Sequence, residues 1–180
     1  MKSTKGICLL VARLLFGATF LFSGFVKAVD PLGTAYKVTD YFEAFGVPTS
    51  DVLSIALAFL LITIEFCIGF AQFFNVKLKE SSYVAALFML VMTPLTLYLA
   101  LENPVSDCGC FGDAVKLSPW ATFWKNIGLL VVVVVLLRCD QREYTTSLTQ
   151  IGLCLVGLLF ALGLNLYALR HQPLVDFLPY

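Results

Sequence analysis

Charged side chains are scarce in this sequence. Its 180 residues hold 12 Lys and Arg against 12 Asp and Glu, 13% in all, with a single histidine. A soluble domain usually carries about a quarter charged residues. This chain is 59% hydrophobic with a mean hydropathy of +0.89, more apolar surface than a body of its size can turn inward. Lipid must cover the rest. The formal net charge of zero leaves no basic surplus to neutralise phosphates, which argues against nucleic acid as a partner. Also missing are a Gly-rich phosphate loop, a Ser-His-Asp set and a run of metal ligands. Hydrolysis and phosphoryl transfer therefore have no visible apparatus, and no metal site is assigned.

What is present is a set of long apolar runs. Five are long enough to cross a bilayer, which takes roughly 20 residues of helix: Gly6 to Val26, Val52 to Phe74, Tyr83 to Leu101, Leu117 to Leu137 and Ser147 to Leu169. They predict an all-α integral membrane protein with the lipid bilayer as its surroundings. The first run follows the basic start Met1-Lys2-Ser3-Thr4-Lys5, as a signal peptide would. Its apolar part is too long, and no small-x-small cleavage site precedes a soluble domain, so it reads as a retained span. Lys and Arg in short loops favour a cytoplasmic N-terminus. Lys2, Lys5, Lys77, Lys79, Arg138 and Arg142 then lie inside, and Lys37, Lys116 and Arg170 outside. Five spans put the tail from His171 to Tyr180 outside as well. The first outer segment, Asp30 to Ser50, places Leu32, Ala35, Tyr36, Phe42 and Phe45 at helical spacing. That pattern predicts a short amphipathic helix on the membrane, and a cap over the bundle is preferred to a partner-binding helix.

The six cysteines divide by side. Cys8, Cys67, Cys139 and Cys154 fall on or near the cytoplasmic half, where they are reduced and fill space. Cys108 and Cys110 stand together in the second outer segment, Asp107-Cys108-Gly109-Cys110-Phe111-Gly112-Asp113. A disulfide across one intervening residue closes a strained ring, which suits exchange better than scaffolding. Gly109 removes a side chain that would crowd such a ring. A structural pair is the alternative. Metal binding is the weakest, since two thiolates cannot close a tetrahedral site and His171 is distant, although copper(I) accepts two sulfurs.

Three charges sit inside apolar spans: Arg13, Glu65 and Lys125. Buried charges pair or line a functional cavity. Arg13 lies about 12 Å of helix from Lys5, and Glu65 about 13 Å from Phe74, by the standard rise. Equal depth predicts an Arg13–Glu65 ion pair, with a polar site for a quinone head group or another small molecule as the functional alternative. Arg13, Gly17, Phe20, Gly24 and Lys27 share one face of the first span, whose glycines allow a close neighbour. Lys125 is flanked by Trp124 and Asn126 and lies beneath the Cys108–Cys110 segment, where a cation favours thiolate. Phe111, Pro119 and Trp120 are expected to hold that segment against the membrane surface. Met89 and Met92, one turn apart in the third span, read as packing, and Gly157 with Ala161 as a weak contact signal in the fifth.

These residues carry a resemblance. Arg13, Phe20, Ser23-Gly24, Lys27, Asp30-Pro31, Tyr36-Lys37, Asp40-Tyr41, Glu65, Gly69 and the Asp107-to-Gly112 segment together resemble the DoxX-like membrane family. The nearer likeness is to its MauE-type branch, named for methylamine utilisation, over roughly residues 10 to 138. The resemblance implies a DoxX-like four-helix transmembrane bundle over residues 1–146 plus a fifth transmembrane helix over 147–170. Residues 171–180 are then an outer tail. In similar proteins of the Bacteroidetes form, a segment like His171 to Phe177 leads into an outer thioredoxin-like domain, which is not among these residues. The resemblance further implies a bacterial inner membrane location and thiol-disulfide exchange with a thioredoxin-like partner or domain on the outer face. Some relatives are linked to quinone-coupled sulfur oxidation, so a quinone is the cofactor to test. Cys108, Cys110 and Lys125 are then the candidates for exchange, and Arg13, Lys27, Glu65, Tyr36 and Tyr41 for a ligand or quinone site. There is one outer cysteine pair, where quinone-reducing disulfide generators carry two, which argues against a self-sufficient generator. A non-enzymatic membrane scaffold with structural cysteines, and more weakly a metal or small-molecule carrier, remain the rival readings.

Overall fold

A computed structural model describes residues 2–102, 109–139 and 148–171. In chain order the elements are α1 (Lys2–Val29), α2 (Pro31–Ala44), α3 (Asp51–Phe73), α4 (Leu78–Glu102), a short extended segment β1 (Cys110–Asp113), α5 (Pro119–Cys139) and α6 (Leu148–Arg170). All but α2 and β1 are long and apolar enough to cross a membrane, which makes this a five-span helical membrane protein. The expected spans are all there. The largest boundary difference is α4, which begins at Leu78 and not near Tyr83. Its first turns look like a polar loop in sequence, but Ser81 and Ser82 are buried against α3, where the Gln72 amide donates to their hydroxyls at 3.0 and 2.8 Å.

Local chemistry marks the helix ends. Between α1 and α2, the Asp30 carboxylate accepts from the Gly33 amide at 2.9 Å, and Pro31 takes the first helical position, where its missing N–H costs nothing. Ser50 caps α3 by accepting from the Leu53 amide at 3.3 Å, and Asp51 in the first turn favours the helix dipole. Beyond α3 the chain turns through Asn75 and Lys77, both with positive φ. Asn is among the few side chains that accept that conformation at low cost.

Helices α1 and α3 cross at backbone contact. A Cβ on Gly17 would lie 2.7 Å from the Phe73 nitrogen, and one on Gly24 would lie 2.8 Å from the Phe66 nitrogen. Gly69 presses on the Leu21 backbone from the other side. Small residues are what permits such an approach in lipid. Phe16 and Phe20, stacked at 4.5 Å, fill the centre with Ile68, Ala85, Met89 and Val133, so Met89 packs as expected. Helices α4 and α5 form a second pair, tied by Asn126 donating to the Thr96 hydroxyl at 3.2 Å. Helix α6 docks outside on α3, with Gly157 under the Phe70 ring and Phe160 beside Phe66. The amphipathic helix anticipated after Asp30 forms as α2 and acts as a cap. It buries Thr34 and Ala35, and Thr39 donates to Ser54 of α3 at 2.8 Å.

Candidate functional site

The two helix pairs, α1–α3 and α4–α5, leave a cavity of about 460 Å³ between them, walled on one side by α2 and bordered by Gly109 and Cys110 at the start of β1. Its surface is mainly apolar side chains, with a few polar groups converging on it, the usual make-up of a ligand site.

One polar cluster hangs on the α1–α3 wall. Lys27 donates to Glu65 at 2.6 Å, both side chains more than nine-tenths buried. The helix crossing explains the match: Gly24 touches Phe66, so Lys27, a turn further along α1, arrives beside Glu65. The expected Arg13–Glu65 pair is therefore corrected. Stepping back from Gly17 at Phe73 carries α1 past the end of α3, and Arg13 donates to Asn75 at 2.6 Å instead. Depth counted from the span ends missed this stagger because α1, at 28 residues, is longer than α3, at 23.

Ser23 joins that ion pair to the cysteine segment. Its hydroxyl donates, shared between Glu65 Oε1 at 2.6 Å and the carbonyl oxygen of Cys110. The segment itself is a tight turn. Gly112 N donates to Gly109 O at 3.0 Å, with Cys110 and Phe111 at its corners. Gly109 and Gly112 both have positive φ, +55° and +53°, so side chains are disfavoured at both ends of the turn. A Cβ on Gly109 would also sit 3.1 Å from the Lys37 stem. Phe111 seats the turn. Its ring packs against Phe22, centroids 5.6 Å apart, and the Lys125 ammonium stands 4.5 Å from its centroid. That is within cation–π range. Trp120, expected to help hold this segment, is half-exposed and packs on Phe123, as an interface tryptophan does.

Cys110, Lys27, Glu65, Tyr41 and Lys125 all line the one cavity. Arg13 is not among them, being held at Asn75, and Tyr36 is 69% exposed on the outer side of α2. Cys108 lies outside the described residues. Sequence reasoning missed Ser23, Thr96 and Asn126 as members of the site. The available signal was spacing: Ser23 is one turn before Lys27, and Asn126 is an amide following Lys125 in an otherwise apolar helix.

The fold and site define a multi-pass helical membrane protein with a thiol at the edge of a membrane-embedded cavity. The chain belongs to the family of methylamine utilisation protein MauE, which its residues 5–138 match, from the start of α1 to the end of α5. No curated protein and no solved structure matches the chain.

Proposed function

We propose that this protein is a membrane thiol-disulfide redox protein that exchanges disulfides with a thioredoxin-like partner on the outer face and is linked to a quinone. The observation that carries this reading is that Cys110 lines the same cavity as Lys27, Glu65 and Lys125. A sulfur at the edge of that cavity can meet both a partner at the surface and a small molecule held within, and disulfide exchange proceeds by thiolate attack on one sulfur with loss of the other as thiolate. In the exchange, a thiolate of the reduced partner attacks the Cys108–Cys110 disulfide and expels one of its sulfurs as thiolate. The partner's second thiol then resolves the mixed disulfide, so the partner leaves oxidised and the pair reduced. The pair passes two electrons and two protons to the quinone, giving hydroquinone and restoring the disulfide.

On this reading residues 1–146 form the redox unit, 147–170 are an added span, and 171–180 lead outward toward the partner. The protein sits in a bacterial inner membrane with its N-terminus cytoplasmic and its C-terminus periplasmic. A membrane-impermeant thiol label will then reach an engineered Thr49→Cys in intact cells and will not reach Lys79→Cys. Labelling of Lys79→Cys would move the cysteine pair into a reducing compartment and remove the basis for exchange. Thiol trapping in isolated membranes tests the chemistry. The Cys108–Cys110 pair will change state with added reductant, oxidant and quinone. A pair that stays in one state under all three is structural, and the protein is a scaffold.

A further inference from the structure

A second cavity, of about 350 Å³, lies among α3, α4 and α6. Cys67 of α3 and Cys154 of α6 both line it. By sequence these thiols read as space-fillers, yet here each borders open volume. Their meeting follows from the docking of α6. A Cβ on Gly157 would lie 2.8 Å from the Phe70 ring, so a glycine is what lets α6 sit this close to α3. Cys154 is three residues before Gly157 and Cys67 three before Phe70. Each thiol therefore shares a helix face with a residue of that contact. The two are close enough to interact electrostatically, and neither is in a disulfide.

The rest of the lining is of two kinds. Ile64, Ile68, Phe70 and Val84 are apolar, while Lys77, Glu80 and Ser81 make a polar rim where the chain passes from α3 into α4. What the two sulfurs can hold is set by their number and softness. A structural zinc takes four ligands, and no group of three or more Cys, His, Asp or Glu is assembled among the described residues. Copper(I) is soft, is favoured by thiolates and brings a single positive charge. Two thiols that bind it release two protons and leave a complex with one net negative charge, which the Lys77 ammonium on the same cavity offsets. No electron moves, so no oxidant is needed. We infer that Cys67 and Cys154 form a two-sulfur copper(I) site between α3 and α6. The site is separate from the outer cysteine segment, since Cys110 lines the other cavity with Glu65. It stands whether or not that segment exchanges disulfides.

The test uses the full chain carrying Cys108→Ser and Cys110→Ser, so that the outer pair cannot take the metal. The protein is reconstituted in lipid nanodiscs without oxygen and titrated with copper(I) against bathocuproine disulfonate. One copper(I) per chain is expected, and X-ray absorption at the copper edge should show two sulfur neighbours. Cys67→Ala and Cys154→Ala should each weaken binding by more than about a hundredfold, beyond the loss typical of an outer-shell partner. Cys8→Ser together with Cys139→Ser should leave it unchanged, since both thiols are exposed and neither lines this cavity. The absorption measurement reads the ligands with both site cysteines in place, so it decides the matter even where a cysteine variant does not fold. Equal affinity in both single-cysteine variants, nitrogen or oxygen ligands in place of two sulfurs, or zinc bound as tightly as copper(I) would overturn the inference. So would uptake in detergent that disappears in nanodiscs, where a lipid tail would then be the occupant.

Discussion

Glu65→Gln will lower the unfolding stability of the bundle in detergent by about 3–5 kcal/mol, the usual cost of removing one partner from a buried ion pair. The effect is large because the Lys27 ammonium is 2.6 Å from the carboxylate and both side chains are buried, so the orphaned charge loses its close partner away from bulk water. Lys27→Met will cost a similar amount by stranding the carboxylate. The joint Lys27→Met, Glu65→Gln change will cost clearly less than the sum, because contacting partners couple. Arg13→Gln combined with Glu65→Gln will be close to additive, since Arg13 is engaged with Asn75 and shares no partner with Glu65. Denaturant titration of the three single and two double variants checks this. Additivity for Lys27 with Glu65, or strong coupling for Arg13 with Glu65, would contradict the observed geometry. Glu65→Gln will also speed alkylation of Cys110, because the carboxylate anchors Ser23, and Ser23 reaches the Cys110 carbonyl.

The spans were legible in the sequence because lipid imposes one requirement on every residue of a run. Length and hydropathy located all five. Gly17 and Gly24 were legible too, as small residues on the same face as Lys27, and they do form the α1–α3 contact. What composition does not encode is stagger. Whether Glu65 meets Arg13 or Lys27 depends on how far α1 slides along α3, and that is set by which glycine meets which backbone. The start of α4 was hidden for a related reason. Ser81 and Ser82 look like loop residues until Gln72, buried on α3, supplies their partner. The site was half legible. Cys110, Lys27, Glu65, Tyr41 and Lys125 are conspicuous by type, whereas Ser23, Thr96 and Asn126 become site residues only once two helix pairs face each other.

The central claim is that the outer cysteines react with a partner's sulfurs, and capture of that partner tests it most directly. With one cysteine removed, the thiolate of the other attacks the disulfide of the oxidised partner, the reverse of the exchange proposed above, and without its neighbour to resolve it the mixed disulfide accumulates. The turn favours Cys110 as the residue whose environment matters. It is held at a corner between Gly109 and Gly112, next to Phe111, whose ring carries the Lys125 ammonium. Lys125 thereby helps to seat the turn that carries Cys110. Cys108→Ser or Cys110→Ser, expressed in cells and trapped with acid and alkylation, is expected to run as a reductant-sensitive adduct with a thioredoxin-like protein. Adding Lys125→Met to the capturing variant should slow adduct formation while leaving the bundle folded. If neither single-cysteine variant captures a partner, and the double variant supports growth and thiol balance as the unaltered protein does, the cysteines are structural and the redox account is wrong.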